Sequence, residues 1–163
     1  MTDTKNIKGL PYRKNVSCIV FRGDKYLLVQ LADWEENWWK FPQGGMEVGE
    51  IGKDTIRREL LEELGISKFK IIAKSKYTNL YDWPKEIVIK RGLKWRGQDQ
   101  IFYLVQYLGN ESDIKISNPN EVKKFQWVTK AEFFDLIDQK EKIFSGYKKV
   151  IKKIFNEFRN ILK

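Results

Sequence analysis

One run of 23 residues constrains this chain more than any other: GGMEVGEIGKDTIRRELLEELGI, Gly44 to Ile66. Its glycines break the chain before Ile51, and Ile51 to Leu64 predicts a helix closed by Gly65, a residue suited to the left-handed turn that ends helices. A helix advances about 100° per residue. With Glu59 set at about 0°, Glu63 falls near 40° and Glu62 near 300°, while Ile56, Leu60, Leu64 and Leu61 span about 60° to 200°. Three carboxylates therefore border the expected core face. Like charges four residues apart repel by a few tenths of a kcal/mol, and Arg58, one such step before Glu62, is placed to hold it. A solvated acidic face is a sufficient account of the glutamates by themselves, because Glu is a good helix former.

The surrounding pattern interleaves strands and helices. NVSCIVF and KYLLVQL are rich in β-formers and flank Gly23-Asp24, which predicts a hairpin. FPQGG marks a break. Extended segments are expected around Lys70 to Trp83, Gln98 to Leu108 and Glu121 to Val128. Thr129 and Glu132 form a capping box that opens a short helix. A last amphipathic helix is expected over about 145–162. Tyr147, Val150, Ile151, Ile154, Phe155, Phe158, Ile161 and Leu162 make its apolar stripe, with Lys148, Lys149, Lys152 and Lys153 facing away. The expectation is one α+β domain over residues 1–163, with no repeat or linker-like tract. No apolar run approaches the roughly 20 residues needed to span a bilayer, and the first residues carry no secretory h-region. The single cysteine, Cys18, sits in the apolar run SCIVF and reads as a buried thiol. These features together suit the cytoplasm.

The chain has no histidine. Ser-His-Asp and Cys-His catalysis and every His-ligated zinc site are excluded. Acid-base chemistry must rest on carboxylates, Lys, Tyr or metal-bound water. With 31 basic and 22 acidic residues the net charge is +9. Lys140 to Lys163 holds eight basic and two acidic residues, and KEIVIKRGLKWR, Lys85 to Arg96, holds five and one. Such surfaces favour polyanions, or serve solubility. Crowded glutamates become useful when a divalent cation neutralises them, and Mg²⁺ and Mn²⁺ prefer carboxylate oxygen. Glycines just upstream allow a backbone to approach a metal or phosphate closely.

The run resembles the Nudix box, with Gly44, Glu50, Arg58, Glu59, Leu60, Glu62, Glu63, Gly65 and Ile66 at its fixed positions. The resemblance implies an α/β/α sandwich with a mixed β-sheet, and metal-dependent hydrolysis of a nucleoside diphosphate linked to another group. It implies Mg²⁺ or Mn²⁺ held by Glu59, Glu62, Glu63 and the Gly44 carbonyl. Glu62 or Glu63 would also act as general base. Arg58 would orient the glutamates, and Glu50 would support them.

Four further stretches resemble the bacterial RNA pyrophosphohydrolases and plant-type dinucleoside polyphosphate hydrolases of that family: PYRKNV, WWKFPQGG, WRGQDQIFYLV and SNPNEVKKFQWV. The last implies a further metal-binding and catalytic glutamate, Glu121. By position, Arg13, Lys40 and Gln43 would contact phosphate or substrate, and Tyr81, in YDWP, would stack on a base. Departures stand beside these matches. Lys14 replaces a proline, and the paired arginines expected before the box are missing. A base clamp would then be built from Trp34, Trp38 or Phe144. The implied substrates are RNA 5′ ends, trimmed from triphosphate to monophosphate, or dinucleoside polyphosphates. The alternatives are a pyrophosphatase that cleans the nucleoside triphosphate pool, and a nonenzymatic RNA- or polyanion-binding module on the same fold. The intact Arg58, Glu59, Glu62 and Glu63 set argues against the last.

Overall fold

The computed structural model describes residues 6–33, 38–137 and 146–162. Its centre is β1 (Tyr12–Arg22), which turns at Gly23 into antiparallel β2 (Lys25–Leu31), as the hairpin pattern predicts. The short strand β3 (Gln43–Gly45) follows, then α1 (Gly52–Leu64), β4 (Phe69–Asp82), α2 (Lys85–Lys90), β5 (Gly97–Tyr107), β6 (Val122–Thr129), α3 (Lys130–Ile137) and α4 (Tyr147–Glu157). The six strands form one sheet in the order β4-β5-β1-β2-β6, with β3 also paired to β1. Only β1 and β5 run parallel, so the sheet is mixed.

Both faces of the centre are covered, which is why β1 and β2 read as continuous apolar runs. Successive side chains point to opposite faces. Val16, Cys18, Val20, Leu27 and Val29 pack with Ile56, Leu60 and Leu64 of α1. Ile19, Phe21, Tyr26 and Leu28 pack on the other face with Phe133 of α3 and Tyr147, Ile151, Ile154 and Phe155 of α4. The result is an α/β/α sandwich of the α+β class. Cys18 is buried and free, and burial raises its pKa.

Local rules place the helix ends. Gly65 closes α1 at φ 64°, and its N–H reaches the Leu61 carbonyl at 3.0 Å. The Thr129 hydroxyl accepts the Glu132 N–H at 3.2 Å and donates to the Glu132 carboxylate at 3.0 Å. The box thus closes side chain to side chain.

Several expectations are corrected. FPQGG is a break that nonetheless pairs: Gly44 lies opposite Val16 and Gln43 opposite Ser17. KEIVIKRGLKWR contains a helix, α2, where only charge was evident; it is followed by a turn with Gly92 at φ 58°. The last helix ends at Glu157, and Ile161, past that end, is exposed. Lys148 is half-buried and does not face away with Lys149, Lys152 and Lys153. Leu61 is 56% exposed, whereas Glu63 is 7% exposed. The helical wheel explains the exchange. The direction of Leu60 lies at about 100°, so Glu63 is about 60° from it and Leu61 about 100°. Among the described residues, no helix is long and apolar enough to cross a membrane.

Candidate active site

The glycine run and α1 meet beside β1, where β3 brings the backbone of Gly44 and Gly45 alongside Arg58 and Glu59 in the middle of α1. Arg58 organises the junction. Its Nε and Nη2 donate to the two Glu50 carboxylate oxygens at 2.7 and 2.8 Å. Nη1 donates to Glu59 at 2.8 Å, and Nη2 also to the Gly45 carbonyl at 3.0 Å. Such charge-assisted forks are the strong class of hydrogen bond. Glu50 further accepts the Glu47 N–H at 2.8 Å and the Thr55 hydroxyl at 3.1 Å. The Arg58 hydrogen bonds above all, and then the Glu47 N–H, hold the Glu50 carboxyl down at about 2. Arg58 therefore ties the glycine loop to the helix, a wider task than holding Glu62.

The three glutamates face different surroundings. Glu63 is buried on the core side. Burial, followed by a hydrogen bond and charge repulsion from Glu59, raises its pKa. Glu59 is held by Arg58, and a methyl group on Gly44 would push its carboxylate aside. Glu62 is turned outward, its side chain 60% exposed and 3.6 Å from Arg58 Nη1. Glu121 is exposed just before β6, close enough for its charge to act on Glu63 and Lys40. Among the described residues, no three acidic or Cys side chains are gathered tightly enough to hold a metal as they stand. The donor set nonetheless fits a hard divalent cation. Glu59 and Glu63 lie close enough for their charges to repel, a repulsion that a cation would relieve, and Gly44 brings its backbone against the Glu59 carboxylate.

A cavity of about 560 Å³ opens next to this junction. Arg13, Lys40, Gln43 and Tyr81, the four expected substrate contacts, all line it, as does Trp38. Trp34 and Phe144 lie outside the described residues. Lys40 is buried, with its backbone bridged to Val29 of β2. Burial lowers its pKa, and Glu63, Glu59, Asp33 and Glu121 pull it back up, so it joins the carboxylates to the cavity. The Arg13 guanidinium lies over the Trp95 ring at 5.1 Å, and a methyl group on Gly45 would displace it.

Other wall residues were not foreseen. Asn79 Nδ2 donates to Gln100 Oε1 at 3.2 Å, and Gln100 Nε2 donates to Gln43 Oε1 at 2.9 Å. The Tyr81 hydroxyl donates to Gln98 Oε1 at 2.7 Å, and burial pushes that hydroxyl up to about 12. Gln98 and Gln100 are buried at alternate positions at the start of β5, ahead of the apolar run Ile101–Val105. That period-two polar pair was the available signal. Trp83, Ile87, Arg91, Leu93 and Tyr147 complete the wall through α2, its following turn and the start of α4. Nothing in local sequence marks those contacts.

Comparison with known proteins agrees with this geometry. Residues 11–154 match the family model described as NUDIX domain. An RNA pyrophosphohydrolase of Bartonella henselae is 36% identical, the alignment covering 97% of this chain and 96% of that protein. One of Pelagibacter ubique is 33% identical over 96% of this chain and all of that protein. A C. elegans Ap4A hydrolase superposes with a TM-score of 0.66 at 16% identity, covering 90% of this chain and 99% of that one.

Proposed function

We propose that this chain, which belongs to the NUDIX family, is a pyrophosphohydrolase that trims the 5′ triphosphate of RNA to a monophosphate. The observation that carries the reading is the convergence of Arg13, Lys40, Gln43 and Tyr81 on one cavity beside the Glu59–Glu63 pair. Relatives named RNA pyrophosphohydrolase, alignable over nearly the whole chain, support RNA as the substrate.

Glu59, Glu63 and the Gly44 carbonyl would hold Mg²⁺ or Mn²⁺, with Glu62 and Glu121 close by; when bound, the ion offsets phosphate charge and acidifies water. Arg58 keeps Glu59 and the glycine loop in place through its fork. Glu63, buried beside Lys40, takes the proton of the attacking water, and the exposed Glu62 is the less well placed of the two. Lys40 and Arg13 bring positive charge to the phosphates. Gln43 accepts from Gln100 through its carbonyl oxygen, so its amide N–H groups remain as donors for a phosphate oxygen. Tyr81 stacks on a base, its hydroxyl fixed by Gln98. The buried free thiol suits a reducing cytoplasm.

A second reading is hydrolysis of a dinucleoside polyphosphate. Trp38, Tyr81 and Trp83 on the cavity wall offer faces for two bases. The two readings separate on 5′-triphosphorylated RNA and diadenosine tetraphosphate, each assayed with Mg²⁺, Mn²⁺ or EDTA. Metal-dependent release of pyrophosphate or phosphate from RNA, at a kcat/KM above that for the dinucleotide, is expected. The reverse preference would replace the first reading with the second, and inactivity on both would refute each.

A further inference from the structure

One side of the cavity is formed where β4 and α4 come together. Asn79 and Tyr81 of β4 line it together with Tyr147, the first residue of α4. From there the strand and the helix run side by side. Gly146 sits against the Asn79 side chain, and Lys153 Nζ lies 5.7 Å from the centre of the Tyr77 ring. At the far end the Glu157 carboxylate accepts the Ser75 hydroxyl and the Lys76 N–H, the latter at 3.0 Å. A seam about 16 Å long, the rise of eleven helical residues, thus leads away from the cavity.

This seam is lined with cations. Lys76 projects from the edge strand β4, and Lys149 and Lys153, one turn apart, from α4; all three are exposed. None of them has an ion-pair partner among the described residues. The only acid on α4, Glu157, spends its oxygens on Ser75 and the Lys76 backbone. The lysines gather on aromatic faces. Lys76 Nζ lies 5.2 Å from the centre of the same Tyr77 ring that Lys153 covers, whereas Lys152 turns to the other flank of α4, 5.9 Å from the Phe134 ring of α3. Two ammonium groups from separate elements on one ring concentrate positive charge there, which suits an anion shared between them. Cations interleaved with aromatic rings along a groove are the arrangement that holds single-stranded nucleic acid, phosphates on the cations and bases on the rings.

We propose that the β4–α4 seam is a track for the single-stranded body of an RNA whose 5′ end occupies the cavity. The track rests on the reading of RNA as the substrate, and it gives that substrate a contact that a dinucleoside polyphosphate is too short to make. A free nucleotide would gain nothing from the seam, whereas each added nucleotide of RNA would gain until the track is full.

The test uses a 12-nucleotide single-stranded RNA with a 5′ hydroxyl, which binds without being cleaved. Fluorescence anisotropy is measured for the unaltered protein and for Lys76→Ala/Lys149→Ala/Lys153→Ala, across a salt series. A loss of affinity of about tenfold or more is expected. The slope of log affinity against log salt should fall by about two, since each phosphate neutralised on a single strand contributes about 0.7. The corresponding triple Lys→Arg variant should restore both. Hydrolysis of diadenosine tetraphosphate and of a triphosphorylated dinucleotide, followed in parallel, should be unchanged in the alanine variant. Unchanged affinity and slope would overturn the track and leave a solvated lysine face. An equal loss on the short substrates, or no rescue by arginine, would make the lysines structural and overturn it as well. Polyglutamate competing as well as RNA would make the seam a general anion surface and overturn RNA as its occupant. Binding that behaves as expected in a protein inactive on triphosphorylated RNA would refute the substrate reading and leave the track standing.

Discussion

Helices α1 and α4 cover opposite faces of one sheet and are built on opposite terms. α4 keeps charge and core apart: Ile151, Ile154 and Phe155 are buried, while Lys149, Lys152 and Lys153 stay in water. α1 mixes them. It buries Glu63 beside Ile56, Leu60 and Leu64, seats Arg58 in a half-buried fork, and leaves Leu61 in solvent. A carboxylate taken out of water is costly unless paired, so α1 carries strain that α4 avoids. The lesson is a division of labour: one layer holds the sheet together and the other holds charge in place for chemistry.

The largest effect should come from breaking the α4 side. Phe155 is buried and meets Tyr26, Phe133 and Phe134 at centroid distances of 5.0, 6.0 and 5.6 Å. Phe155→Ala should cost about 3–5 kcal/mol of stability in a urea titration, with kcat per folded molecule unchanged. A stable variant, or an inactive folded one, would contradict the division.

Glu63→Gln attacks the other side. It should lower kcat by at least about 10²-fold, or about 2.7 kcal/mol of barrier, while the melting temperature holds or rises because a crowded charge is gone. Near-normal turnover would remove Glu63 as the base.

A pH titration sharpens the contrast next. The Glu50 carboxyl is held at about 2 against an ordinary 4.5, first by the Arg58 hydrogen bonds. Its contribution to stability is therefore full above about pH 5 and is lost as the pH falls toward 2. The melting temperature of the unaltered protein should exceed that of Glu50→Gln at neutral pH, and the two curves should converge on acidification. Parallel curves would show that Arg58 does not depend on this carboxylate. The smallest effect belongs to Leu61→Ala, expected within about 0.5 kcal/mol, beside Leu60→Ala at about 2–5 kcal/mol. A large loss at Leu61 would restore it to the core.

Much of this was legible in the chain. Period and punctuation gave the hairpin at Gly23, α1 with its Gly65 cap, and the interleaving that makes a mixed sheet. The box gave Arg58, Glu59 and Glu63, and the flanking stretches gave Arg13, Lys40, Gln43 and Tyr81, which the structure gathers around one cavity. What stayed hidden depends on pairing across the chain. A three-residue strand such as β3 exists only because β1 is there to bond it. Trp83, Ile87, Arg91 and Leu93 become a wall only once β4 and β5 are paired antiparallel and α2 is carried to their end. Glu63 looked like one of three equivalent rim acids because a wheel shows direction and not the position of the sheet.

The parallel pairing of β1 with β5 also governs the order of birth. As the chain leaves the ribosome, β1 meets β2 almost at once, but its other neighbour lies about 85 residues further on. Helix α1 is synthesised in between, after the β1 and β2 residues it packs on and before β5 widens the sheet. Pairings between distant segments close slowly, and unfinished edges invite aggregation. Until β5 is made, the nascent protein leaves one edge of β1 open, while α1 already has apolar side chains of β1 and β2 to pack against.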